Sequence, residues 1–214
     1  MPKFFVNEEQ IQKEDVKVIG NDVKHIKNVL REKVGNELII CNTSNKKDYL
    51  CKIEEISEEY IKCKIEKELE NNSESNIQVT IMQGLPKTDK MELIIQKSVE
   101  LGVYDIIPIE MKRCVVKVNE KDKQKKLQRW QKISEVAAKQ CGRNIIPKIK
   151  PILNLKNICN MLKEYDIVLL AYEKEEKITI KQELNNIKET SRRTLSKAPS
   201  LRGALKEFSA PLSF

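Results

Sequence analysis

The sequence predicts an α/β protein in two parts: a small β-rich barrel, then an open α/β sheet covered by helices. Three observations carry this. Short alternating apolar stretches surround a single short helix in the first 70 residues. The run ENNSESN (70–76) is polar throughout and reads as a linker. From Ile77 onward strand-like and helix-like stretches alternate, the succession expected of an open sheet with helices packed on it. The expected organisation is 1–72, 73–189 and an atypical tail over 190–214.

The elements follow in order. NDVKHIKNVLR (21–31) is a short helix with Asp22 as N-cap and Ile26, Val29 and Leu30 inward. Gly35 turns the chain into NELIICN, and DYLCKIEEI and EYIKCKIEKE alternate as strands, with Cys51 and Ile53 on one face and Ile61, Cys63 and Ile65 on another. IQVTIMQGL (77–85) is a strand. TDKMELIIQKSVELG is an amphipathic helix, Asp89 at its N-cap and Glu92 at N3. Met91, Ile94, Ile95, Ser98 and Val99 form its core face; Glu92, Gln96 and Glu100 form a polar stripe at i, i+4 and i+8. YDIIPIE is a buried strand. KDKQKKLQRWQKISEVAAKQCG is a long helix with Leu127, Trp130, Ile133, Ala137 and Cys141 in phase. LKNICNMLKEY is a third helix, and DIVLLAYE a continuous apolar strand of the parallel-sheet kind. The last 25 residues contain no Ile and no Asn but hold three of the seven arginines; they are expected to be poorly ordered.

Charge narrows the function. The net +8 divides unevenly: residues 1–72 hold 13 basic and 15 acidic groups, whereas 112–150 hold 13 basic and only 3 acidic. Such concentration is the footprint of a phosphate-backbone partner, or of a lysine-rich solvated face. No apolar run is long enough to span a bilayer, and MPKFFVNEEQ lacks the features of a signal peptide, so a cytoplasmic protein with no membrane partner is expected. Six cysteines without CxxC spacing read as small buried hydrophobes. The single His25 excludes a histidine metal cluster, and six glycines give neither G-x-G-x-x-G nor P-loop spacing.

Several residues suit RNA. His25 and Arg31 could reach a phosphate backbone, or cap a turn and face solvent. Arg113 and Lys117 flank an apolar triplet in KRCVVK, and Arg143 and Asn144 follow the Gly142 helix stop. Arginine grips phosphates in two-point fashion and stabilises anions; Arg143 could equally pair with a helix C-terminus. Lys87 stands at the entrance of the amphipathic helix. If Glu92, Gln96 and Glu100 face a cleft lined by Arg113 and Arg143, the stripe is a buried polar network, since unpaired buried carboxylates cost several kcal/mol.

The blocks QGLPKTDKMELIIQKSVELGV, IIPIEMKRCVVK and RWQKISEVAAKQCGRNIIPKI resemble, in order and spacing, those of the RsmE family of 16S rRNA uridine-N3 methyltransferases, of the SPOUT class. HIKNVLREKVGNEL is similar to the start of that family's PUA-like RNA-binding barrel. The resemblance implies S-adenosylmethionine as methyl donor, a homodimer, and the assembled small ribosomal subunit as substrate. It makes Arg113, Arg143, Glu92 and Glu100 the catalytic candidates, with the arginines stabilising the uracil anion and the carboxylates orienting them. His25, Arg31, Lys87, Gln96, Lys117 and Asn144 become RNA contacts. The family's cofactor-binding knot, with its GPEGG-like loop, has no counterpart after NNIKE. A truncated methyltransferase domain, and an inactive RNA-binding remnant, are therefore expected alongside the active enzyme.

Overall fold

Strand β1 (Lys3–Val6) shows how the two halves are joined. Successive side chains of a strand point to opposite faces, and here those faces belong to different cores. Phe4 and Val6 enter the core of the β-rich half, while Phe5 packs against that of the α/β half. The computed structural model describes residues 1–70, 73–86, 89–111, 119–171 and 178–191. It divides into two compact units, Met1–Asn157 and Ile158–Phe214.

In the first unit β1 is followed by β2 (Ile11–Gln12), β3 (Asp15–Ile19), a helix, β4 (Glu37–Asn42), β5 (Lys47–Ile56) and β6 (Tyr60–Leu69). They form one sheet in the order β1-β4-β5-β6-β3-β2, antiparallel except for the parallel β1–β4 pair. Register shifts in the β5–β6 ladder interrupt long strands where the sheet must curl. Among the described residues no ladder joins β1 to β2, so the expected barrel is a half-barrel. Val16, Val18, Leu38, Ile40, Cys51, Ile53, Ile61 and Cys63 close its core. The cysteine expectation holds for Cys41, Cys51 and Cys63, which are buried, but Cys141 is exposed and Cys159 half-buried. Burial pushes the thiols of Cys41, Cys51 and Cys63 up to about 12.

The helix of the half-barrel differs from expectation. Helix α1 (Asn21–Lys24) starts after Gly20, not Asp22, and passes into a π-helical turn over His25–Leu30. Widening the helix changes its phase, so Val23 and Ile26 face the core while Val29 (67%) and Leu30 (36%) turn outward. Arg31 ends it in the left-handed region at φ 55°.

The α/β half begins with β7 (Thr80–Gly84), shorter than the nine residues expected, then helix α2 (Asp89–Glu100), β8 (Asp105–Glu110) and helix α3 (Glu120–Gln140). Helix α2 starts at Asp89 itself, so Asp89 is not the residue preceding the helix. Short strands β9 (Lys148–Ile149) and β10 (Leu153–Asn154) both pair with β8, and every ladder here is parallel. Met91, Ile95 and Val99 of α2 meet Trp130, Ala137 and Ala138 of α3 in the core. Both helices end in glycine caps. Gly102 (φ 92°) lets Val103 N–H reach the Ser98 carbonyl, and Gly142 (φ 73°) lets Arg143 N–H reach that of Ala138.

Helix α4 (Leu155–Met161) and the turn after it match the third expected helix. In the second unit, residues 166–171 of the expected strand DIVLLAYE form no strand, and Ile167, Leu169 and Leu170 are about half exposed. A strand needs a neighbour for its backbone groups, and apolar composition alone does not supply one. Helix α5 (Ile180–Ser191) was not anticipated and runs into the expected tail.

Candidate functional site

The parallel sheet fixes where chemistry can be placed. Ligands of open α/β sheets bind outside the carboxyl ends of the strands. Here that edge is made by Gly84 at the end of β7, with Leu85 and Pro86 after it, and by Glu110 at the end of β8, with Met111 after it. Helix α2 starts soon after β7, and Lys123 near the start of α3 pairs with Glu110 at the end of β8, so the first turns of both helices lie at this end. Glu92 accepts a hydrogen bond from Arg129 at 3.0 Å, and the two side chains form an ion pair at 2.8 Å. Lys123 lies 3.8 Å from Glu110. Lys125, Arg129 and Lys132 share one exposed face of α3.

The arrangement expected for the polar stripe is corrected at three points. Glu92 pairs with Arg129 instead of Arg143. Gln96 donates to Glu100, which also takes Lys97 at 2.7 Å, and the Lys97 hydrogen bond holds Glu100 below the usual carboxylate range. Arg143 sits at the opposite end of α2, seven residues or about 10 Å along the helix axis from Glu92. Glu100 and Arg143 do border one cavity, beside Cys141 and Gly102. Arg113, Lys117 and Lys87 lie outside the described residues.

Arg143 is 4% exposed and almost fully engaged. One terminal nitrogen donates to the carbonyls of Val99 (3.2 Å) and Val103 (2.6 Å), capping α2 where its dipole is negative. The others donate to Glu74 at 2.6 to 3.3 Å. Glu74 also accepts from the amides of Asn144 (2.9 Å) and Ile145 (3.0 Å). Burial raises the Glu74 pKa, but these bonds and the Arg143 charge outweigh it and leave the carboxyl below its ordinary range. Asn144, 6% exposed, donates to the Lys46 carbonyl at 2.7 Å and accepts from Lys3 at 2.6 Å. Lys3 in turn pairs with Asp48 at 2.7 Å and donates to the Gly142 carbonyl at 3.1 Å. Neither side chain presents its polar atoms to an incoming RNA. Lys3, Asp48 and Glu74 were missed in the sequence because each lies far along the chain from its partners and Glu74 sits in a run of linker composition.

On the half-barrel, His25 is exposed with its ring edge against Phe4 at 6.0 Å between centroids, and Arg31 is exposed beyond the π-helical turn. They stand with Lys24, Asn28 and Val29 on one outward surface.

Residues 18–66 match the model of the RNA methyltransferase PUA domain, and residues 73–197 that of the RNA methyltransferase domain. The chain is 33% identical over 180 residues to the ribosomal RNA small subunit methyltransferase E of Bacillus subtilis, covering 83% of this chain and 70% of that protein. The chain belongs to the ribosomal RNA small subunit methyltransferase E family. The Mesomycoplasma hyopneumoniae member is 34% identical over 81% of this chain and 72% of its own length. A crystal structure of the Neisseria gonorrhoeae member, bound to S-adenosyl methionine, superposes with a TM-score of 0.66 at 30% identity, covering 74% of this chain and 64% of that one.

A Cβ on Gly102 or Gly142 would meet nothing within 4 Å, and one on Gly84 only the Met111 side chain at 3.6 Å, so no other part of the described fold covers these backbones. The cavity of about 300 Å³ beside Lys46, Tyr104 and Asn144 has the engaged Arg143–Glu74 pair as its wall. Among the described residues no three His, Cys, Asp or Glu side chains are grouped to hold a metal, and no helix is long and apolar enough to cross a membrane.

Proposed function

We propose that this chain methylates N3 of a uridine in the 16S rRNA of the assembled small ribosomal subunit, with S-adenosylmethionine as donor. The observation that carries the reading is the placement of cations on a methyltransferase of this family. Lys123, Lys125 and Arg129 stand at or near the carboxyl edge of the parallel sheet, where such folds bind ligands. His25 and Arg31 form an outward polar surface on the PUA half.

The donor supplies an electrophilic methyl group. The protein must hold the uracil ring and stabilise the charge left when the weakly acidic N3–H departs, a task for fixed cations beside the base oxygens. Arg113, in the segment between β8 and α3, is the candidate for that charge, and Lys87, between β7 and α2, and Lys117 are candidates for adjacent phosphates. Glu92 orients Arg129 at the same edge, making Arg129 a further phosphate contact. Gln96 and Glu100 support the helix face, and Arg143 and Asn144 act from inside the fold. A homodimer and a cytoplasmic location accord with a ribosomal substrate.

The test is transfer of tritiated methyl from S-adenosylmethionine to purified small subunits, run beside filter binding over a salt series. Stoichiometric, chain-dependent labelling and an affinity that falls steeply with salt are expected. Salt-sensitive binding without labelling would leave an RNA-binding protein and remove the enzymatic reading.

A further inference from the structure

Domains joined by a linker are expected to move relative to one another unless their interface is large and apolar. The seam between the PUA half and the α/β half is instead tied by directional polar bonds. Lys3, 5% exposed in its side chain, spans three partners: Asp48 in the half-barrel, and Asn144 and the Gly142 carbonyl in the loop after α3. Asn144 returns a bond to the Lys46 carbonyl in the β4–β5 turn. Glu74, from the segment connecting the halves, is held by the Arg143 guanidinium and by two successive amides. A second tie lies apart from these: Lys139 near the end of α3 meets both oxygens of Asp22 on α1 at 3.0 Å. An apolar contact such as that of Phe5 holds surfaces together but tolerates sliding. Charge-assisted bonds from several directions onto one loop fix an angle.

We propose that Lys3, Glu74 and Arg143 are positioning residues that lock the PUA half at one orientation on the α/β half, so that RNA gripped by the first presents its base at a fixed place on the second. The proposal rests on the rRNA methyltransferase reading. Productive geometry must be held within about 0.5 Å and 10–20°, and a small misplacement remote from the chemistry can cost about 100-fold in rate. The lock acts on transfer rather than on capture, because none of its three side chains is free to touch RNA.

The test uses the full chain with nitroxides attached through a ketone-bearing amino acid at the exposed positions Lys52 and Val136. Pulsed dipolar spectroscopy of these labels then reads the distance between the halves. The parent chain gives one narrow distribution. Lys3→Met and Glu74→Gln, which keep most of each side chain's volume, broaden it, and Lys3→Arg restores much of the narrow peak. In parallel, affinity for small subunits stays within about twofold, while methyl transfer at saturating subunit falls about 10- to 100-fold. Distributions that stay narrow in both variants, or a full transfer rate despite broadened distances, would overturn the proposal. If the parent chain transfers no methyl, the enzymatic reading fails, while the distance measurement still decides whether the lock exists.

Discussion

Glu74 gathers four donor groups onto one carboxylate that keeps 23% of its side chain exposed. The donors outweigh burial, so its folded pKa lies below the unfolded value near 4.5. A depressed carboxyl contributes stability that is complete above the unfolded pKa and is lost as pH falls through the folded one. Urea midpoints taken from neutral pH downward should hold steady until about pH 4.5 and then decline. Glu74→Gln should lower the neutral midpoint and flatten that acid limb. An acid limb equally steep in the variant would assign the loss to other carboxylates. Arg143 shows the limit of reading one residue from sequence. The residue type and the Gly142 stop announced a guanidinium on a loop, and pairing with a helix end was one of its two open readings. Only the fold shows that the helix is α2 and that the carboxylate comes from position 74.

At the scale of elements, α2 and α3 carry the α/β core between them. Trp130 (5% exposed) packs in one cluster with Met91 and Ile95. Trp130→Ala should cost about 3–5 kcal/mol, read as a lowered urea midpoint with an unchanged slope. A loss below about 1 kcal/mol would mean that α3 is held by its polar ties instead. These helices, and strands β4, β5, β6 and β8, were legible because each repeats its burial pattern over several turns or pairs. Strand β1 was not, since KFFV divides its two rings between separate cores and, being apolar on both faces, lacks the alternation that marks a half-buried strand. The stretch 166–171 failed for the opposite reason: its composition is that of a buried strand, but Ile167, Leu169 and Leu170 lie about half exposed. The π-helical turn hid the outward turn of Val29 and Leu30, because a 3.6-residue period assigns them inward.

At the scale of the whole chain, the order of halves and the family blocks were readable, while the seam between halves was not. Contacts such as Lys3–Asn144 span 141 positions, and no local pattern announces a pair so distant. The cations concentrated between 112 and 150 in this chain of net charge +8 divide, where described, between the two ends of the parallel sheet: Lys123 and Arg129 stand at the carboxyl edge, whereas Arg143, Lys148 and Lys150 lie at the other end. A methyl group on N3 of uridine blocks the Watson–Crick edge, so it arrests reverse transcription and adds a single methyl mass to one nucleotide. Small subunits from cells lacking this activity, incubated with the chain and S-adenosylmethionine, should give one new arrest site in 16S rRNA that coincides with one methylated uridine by mass spectrometry. An unmodified 16S rRNA after prolonged incubation, with subunit binding intact, would contradict the account.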